Sequence, residues 1–206
     1  MEKYVFTKTE SLPKEVCQKI IEEFYAEDIH MHKYSGVTRS GLAATTKDTT
    51  DLQINRLQSI PFWKNVSTLL RAELESNLVM YLQSLNITWP KSIIDELIIP
   101  VFQMQKYNAN RGKYIKHQDY AADLSKQRII TYIWYLNDVT EGGQTTFWND
   151  DLKIQPTAGT LLFFPALPVF DHCGKMPISD DKYIITGWIY EPLKLIEIPA
   201  NPSDTL

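Results

Sequence analysis

His117-Gln118-Asp119 sets an imidazole and a carboxylate two residues apart. In an extended segment residues i and i+2 point to the same face, so both side chains can converge on one metal ion. His172 lies 55 residues further on, beyond several apolar runs. Two imidazoles and one carboxylate leave three positions of a six-coordinate ion open for substrate and O₂, the pattern of non-haem iron(II) sites. A structural zinc site would take four protein ligands, often thiolates. Cys173 follows His172 directly and, in a strand, turns to the opposite face. Lys182 opens an apolar run that ends at Tyr190, and period 2 puts Lys182, Ile184, Thr186 and Trp188 on one face. Burying an ammonium without a counter-charge is costly. Lys182 is therefore either an exposed lysine at a strand start or the partner of a ligand carboxylate. His30-Met31-His32 is a second histidine pair, but no carboxylate matches its spacing, and it reads as a solvated loop.

These residues need a scaffold that holds strands close together. Residues 97–107, 128–136, 144–148, 152–155, 160–164 and 182–190 are short, rich in Ile, Val, Tyr, Trp and Phe, and separated by Gly, Pro, Asn or Asp. Six such strands without intervening helices imply a sandwich, barrel or jelly roll. The N-terminal third is different. Residues 3–9 read as a short strand. A helix follows, with Ser11 as its cap, Pro13 in its first turn, and Val16, Ile20, Ile21 and Phe24 at helical spacing. A second helix starts near Pro61, and Phe62, Val66, Leu69, Leu70, Leu74, Leu78, Tyr81, Leu82 and Leu85 mark its buried stripe. Both helices are expected on one outer face of the β structure. Between them, residues 31–56 are polar and carry little periodicity, which suggests a lid or an unstructured loop. The lid would carry Arg39, Lys47 and Arg56 as donors to peptide carbonyls. Residues 191–206 read as a surface tail, and the whole chain, 1–206, as a single domain.

Composition excludes several classes. The 206 residues are 44% hydrophobic and 22% charged, which is ordinary globular usage. A net charge of −4 speaks against a general nucleic-acid binder, and no apolar run reaches the ~18 residues of a membrane span. Without a signal-peptide pattern, and with only Cys17 and Cys173, the expectation is a cytoplasmic chain with unpaired thiols.

Taken in order, Tyr107 through His117-Gln-Asp119, Arg128 through Tyr135-Leu-Asn, Gly142-Gly-Gln-Thr-Thr-Phe147, His172-Cys-Gly and Lys182-Tyr-Ile-Ile-Thr-Gly-Trp188 resemble the 2-oxoglutarate- and Fe(II)-dependent dioxygenases of the prolyl 4-hydroxylase-like group. The resemblance spans about residues 97–190. It implies a mainly β fold with helical support, a double-stranded β-helix or jelly roll. It implies iron held by His117, Asp119 and His172, with Lys182 paired to the distal carboxylate of 2-oxoglutarate. Tyr135 matches a tyrosine bonded to that same carboxylate, Tyr107 one lining the other end of the cosubstrate, and Thr186 a polar position beside the basic residue. The implied reaction couples hydroxylation of a C–H bond, most often in a prolyl residue of a peptide or protein, to oxidative decarboxylation of 2-oxoglutarate by O₂. Ascorbate is implied as a supporting reductant. Asp119 favours hydroxylation over halogenation, since the halogenating relatives lack this carboxylate. A jelly-roll binding module without catalysis, a zinc hydrolase on the same ligands, and a hydroxylase of free amino acids or other small molecules are the alternatives.

Overall fold

The computed structural model describes residues 1–38, 41–42, 44–99, 101–123 and 125–193. In chain order the strands are β1 (Phe6–Lys8), β2 (Tyr34–Ser35), β3 (Val37–Thr38), β4 (Gly41–Leu42), β5 (Lys47–Asp48), β6 (Thr50–Gln53), β7 (Gln103–Tyr107), β8 (Lys113–His117), β9 (Lys126–Tyr135), β10 (Thr145–Phe147), β11 (Leu152–Ile154), β12 (Leu161–Pro165), β13 (His172–Gly174) and β14 (Lys182–Pro192). The helices are α1 (Lys14–Phe24), α2 (Pro61–Ser84) and α3 (Lys91–Glu96). Two antiparallel sheets face each other as a jelly roll. The major one has the order β1-β12-β9-β14-β7-β6-β2 and the minor one β11-β10-β13-β8-β5.

Strand alternation divides the major sheet between two jobs. On its outer face Ile130, Tyr132, Trp134, Tyr183, Ile185 and Ile189 pack with α1 and α2. Those helices contribute Cys17, Ile20 and Phe24, and Trp63, Val66, Leu70, Leu74 and Leu78, at the three- and four-residue spacing of one helix face. Full burial of each large apolar side chain contributes about 1.5–3 kcal/mol. On the inner face Ile133, Tyr135 and Ile184 meet Phe147 of the minor sheet. At Gly187 the close packing forbids a side chain, because a Cβ would sit 2.2 Å from Tyr132 Oη and 2.5 Å from the Val101 carbonyl oxygen.

Four expectations change. Ser11 is no helix cap: it is buried, and its hydroxyl accepts from Trp134 Nε1 at 3.0 Å and Asn77 Nδ2 at 3.3 Å, while Pro13 occupies the cap position of α1. The strand expected over residues 97–107 begins only at Gln103: Leu97 caps the short helix α3, and Ile98 makes a single bridge to Tyr190 outside any named strand. Two strands escaped the apolar pattern. β8 (Lys-Tyr-Ile-Lys-His) is largely exposed, and β13 has only three residues. Residues 31–56, expected as an irregular lid, contain β2 to β6, with β5 on the edge of the minor sheet and β6 inside the major one. Arg39 and residues 194–206 lie outside the described residues. Cys17 and Cys173 are free thiols. Among the described residues no helix is long and apolar enough to cross a membrane.

Candidate metal centre

β8 and β13 are neighbours, and their register sets His172 opposite His117. Asp119, two residues past β8, is buried between them, with Oδ1 3.7 Å from His117 Nε2 and Oδ2 3.5 Å from His172 Nε2. The three donor atoms lie within 4.8 Å of one another, a spread that metal–ligand bonds of about 2.0–2.2 Å can span after slight closure. Backbone carbonyls fix both tautomers. His117 Nδ1 donates to the Ile115 carbonyl at 2.8 Å and His172 Nδ1 to that of Phe170 at 3.0 Å. A carbonyl oxygen only accepts, so the proton sits on Nδ1 and each Nε2 turns a lone pair toward Asp119. The Thr131 hydroxyl donates to Asp119 Oδ2 at 2.9 Å and orients the carboxylate. Tyr114 stacks on the His117 ring at 3.5 Å.

Electrostatics hold this cluster ready for a cation. Burial, then the neighbouring His172, pushes His117 down to about 3. Burial works to raise Asp119, but the two imidazoles and the Thr131 hydroxyl hold its carboxyl below the usual range. Neutral imidazoles and an ionised carboxylate are the protonation states a metal needs. The indole N–H of Trp188 is buried without a hydrogen-bond partner, yet stands close enough to Asp119 to lower its pKa. This orphaned donor suits an oxygen ligand on the ion. His30 and His32 lie at the end of a 3₁₀ turn away from this cluster, and the Cys173 thiol meets Thr146 Oγ1 at 3.0 Å. Among the described residues the only metal-capable group of three is His117, Asp119 and His172.

Lys182 lines the same cavity, of about 700 Å³. The exposed strand-start alternative fails, since Lys182 is 1% exposed. Its Nζ donates to the Gly143 carbonyl at 2.9 Å and lies 4.3 Å from the Tyr107 ring centroid. No carboxylate among the described residues pairs with it, and burial pushes its ammonium down to about 7. Tyr135 Oη bonds Thr145 Oγ1 at 2.8 Å, and both are buried. Thr186 lines the cavity further along β14, its hydroxyl donating to the Tyr132 carbonyl at 2.9 Å. Tyr107 corrects one detail. The resemblance implies a place at the end of the cosubstrate remote from Lys182, but antiparallel pairing of β7 with β14 makes Tyr107 and Lys182 direct neighbours.

Residues 102–190 match the 2OG-Fe(II) oxygenase superfamily. This stretch, somewhat under half of the chain, is similar to the 2OG-Fe(II) oxygenase domain. Such domains work with iron(II), 2-oxoglutarate and O₂. A relative from Arabidopsis thaliana, described as "Probable prolyl 4-hydroxylase 10", is 30% identical over 48% of this chain and 46% of its own length. The chain thus spans less than half the length of the curated relatives it matches. Two solved structures share the fold. A viral collagen prolyl hydroxylase from Paramecium bursaria Chlorella virus-1, in complex with 2-oxoglutarate, superposes with a TM-score of 0.63 at 22% identity, covering 91% of this chain and 96% of that one. A Trichoplax adhaerens prolyl hydroxylase, in complex with a hypoxia-inducible factor peptide fragment, gives 0.71 at 17% identity, covering 92% and 84%.

Two features of the cavity have no signal in the sequence pattern. Arg128 lines the cavity, its guanidinium 3.5 Å from the Trp188 ring centroid, donating to the Asp119 carbonyl at 3.2 Å and to Tyr190 Oη at 3.1 Å. Strict alternation from Thr131 would turn Arg128 toward the helices. The register of β9 against β14 shifts between Ile189 and Tyr190, so Arg128 pairs with Tyr190 and one extra residue re-aims it inward. The second feature is a buried ion pair, Lys47 to Asp51 at 2.6 Å, which ties β5 of the minor sheet to β6 of the major sheet. Thr49 and Gln103 also donate to Asp51, at 2.7 and 2.6 Å. Lys47 is therefore no free donor for peptide carbonyls.

Asp51→Ala strands the Lys47 ammonium in the cavity wall. Urea denaturation of this variant should show a loss of about 3–5 kcal/mol, the usual cost of breaking a buried pair from one side, whereas the paired change Lys47→Met with Asp51→Leu should cost far less. Equal losses in the two proteins would show that packing, not the stranded charge, sets the effect.

Proposed function

We propose that the chain is an Fe(II)- and 2-oxoglutarate-dependent dioxygenase that hydroxylates a prolyl residue of a peptide or protein. 2-Oxoglutarate, O₂ and substrate R–H become succinate, CO₂ and R–OH, one oxygen atom of O₂ going to succinate and the other to product. The observation that carries this reading is the shared cavity of Lys182, a buried cation without a carboxylate partner, and the His117–Asp119–His172 cluster. A structural metal site would have no use for the lysine. Iron(II), when bound, supplies the means to activate O₂.

The protein groups then have separate tasks. His117, Asp119 and His172 hold the ion on one side and leave the other to ligands. Lys182, with Tyr135 and Thr145, takes the distal carboxylate of 2-oxoglutarate, and Tyr107 packs beside that ammonium. Thr131 fixes the Asp119 carboxylate, and Trp188 offers its free N–H on the ligand side. Residues 1–96 act as support for a catalytic core over residues 97–190 in one domain. Their helices share a hydrophobic core with the outer face of the major sheet. Tyr34, Val37, Thr38 and Thr46 line the cavity, which supports closure of this part of residues 31–56 over an extended peptide. A cytoplasmic setting belongs to the same proposal, in keeping with two free thiols. So does stimulation by ascorbate.

Succinate release, measured with and without ascorbate against proline-rich peptides and free proline, tests the reading. A gain of 16 Da on a peptidyl proline, matched by succinate, is the expected result. Turnover on free proline alone would move the enzyme to small molecules, and no 2-oxoglutarate consumption under any condition would leave a binding module.

A further inference from the structure

The cavity around the metal cluster carries more positive charge than iron and 2-oxoglutarate can use. Four basic side chains line it, Lys47, Arg56, Arg128 and Lys182, against one acidic side chain, Asp119. Lys47 is matched by Asp51. An iron(II) ion on Asp119 leaves one positive charge, which with Lys182 balances a dianionic 2-oxoglutarate. The charges of Arg56 and Arg128 remain. Neither has a carboxylate partner among the described residues, whereas nearby Arg111 and Lys116 are matched to Asp48 and Asp171. In a chain of net charge −4 the excess is local.

The two arginines are placed to act on one ligand. Gln53 is level with Gln103, and Gln103 with Thr186, so Arg56, three residues past Gln53, stands at the Trp188 end of the major sheet. Arg128, paired with Tyr190, stands at that end too. From β9 through β14 and β7 to β6 is three strand spacings, about 14 Å, which an extended peptide covers in about four residues. Arg128 bonds the backbone of metal ligand Asp119 and marks the reacting end. Arg56 is the exposed residue of the 3₁₀ turn Ile54–Leu57, close enough to Tyr34 for its charge to act on that phenol. An extended chain leaving the metal centre along this wall would bring a side chain to Arg56.

We propose that the substrate is an acidic peptide, with an Asp or Glu about four residues from the hydroxylated residue that pairs with Arg56. This rests on the oxygenase reading and adds the substrate class. The pair would be partly exposed, so its contribution is modest and salt-sensitive.

The test uses iron-loaded protein with 2-oxoglutarate under anaerobic conditions and fluorescent 11-residue peptides with a central proline. Aspartate, serine or lysine stands four residues before or after that proline. One aspartate peptide should bind about three- to tenfold more tightly than its serine counterpart at low salt, with the gap closing as salt rises. Arg56→Gln should erase the preference, Arg56→Lys should keep most of it, and Arg56→Glu should turn it toward the lysine peptide. Equal binding of all peptides by the natural protein, or an undiminished preference in Arg56→Gln, overturns the inference. Aerobic 2-oxoglutarate consumption by the natural protein separates the two levels. Consumption without any acidic preference removes only the substrate class, whereas no consumption removes the oxygenase reading and this inference with it.

Discussion

Replacing His117, Asp119 or His172 by alanine, one at a time, should bring Fe(II)-dependent turnover down to the level of the metal-free protein while the fold persists. Each of the three supplies one donor atom, and no fourth His, Cys, Asp or Glu among the described residues joins the group. A missing ligand therefore has no protein substitute. His172 is 5% exposed and packs 4.7 Å from the Phe164 ring and 5.6 Å from Phe147. His172→Ala thus also opens a hole, and His172→Gln is the cleaner variant. Metal linkage separates loss of the site from loss of the fold. A ligand at a hundred times its Kd stabilises the folded protein by about 2.7 kcal/mol. Fe(II), or Co(II) as a redox-inert probe, should raise the melting temperature of the natural protein and leave the variants unmoved. A variant that melts higher with metal, as the natural protein does, has not lost a ligand.

The first half of the metal cluster was legible from a local rule, since His117 and Asp119 share a face through period 2. Its meeting with His172 depends on the pairing of two strands, β8 and β13, that the apolar pattern does not show. Lys182, Ile184, Thr186 and Trp188 all line the cavity, as alternation along β14 requires. Gln103, Gln105 and Tyr107 share an inward face for the same reason. Arg128 escaped because a bulge breaks the alternation, and no single-strand pattern announces a bulge. The strands within residues 31–56 escaped because their inner face meets a polar cavity instead of a hydrophobic core. Asp51, fully buried, is satisfied by Lys47, Thr49 and Gln103, and that compensation depends on residues up to 52 positions away. Apolar periodicity reports core-facing strands and is silent where a strand faces a wet, charged wall. The same silence hid β8, whose outer face is solvent.

Lys182→Ala should raise the 2-oxoglutarate requirement by about 10- to 150-fold, the equivalent of about 1.5–3 kcal/mol for a charge-assisted contact, and leave metal affinity near that of the natural protein. The ammonium donates to the Gly143 carbonyl and makes no contact with the three ligands, so its loss is felt by the cosubstrate alone. Its titration gives the role a second signature. Burial lowers this lysine from 10.5 to about 7 in the folded, ligand-free protein. Above that pH the dianion must recruit a proton to Lys182 when it binds, so 2-oxoglutarate affinity should fall as pH rises from about 7. Lys182→Arg, which stays charged, should flatten that dependence. The stability of ligand-free protein runs the other way. Between about pH 7 and 10.5 the folded lysine is neutral while the unfolded one is protonated. Unfolding then takes up a proton, and stability rises with pH across that window. Below about 7 both states carry the charge and the cost of burying it is felt in full. Lys182→Met should therefore melt higher than the natural protein near neutral pH in the absence of 2-oxoglutarate, and lower than it once 2-oxoglutarate is saturating. If Lys182→Met melts lower in both conditions, and Lys182→Ala keeps the natural 2-oxoglutarate requirement, the lysine is part of the scaffold and the cosubstrate carboxylate lies elsewhere.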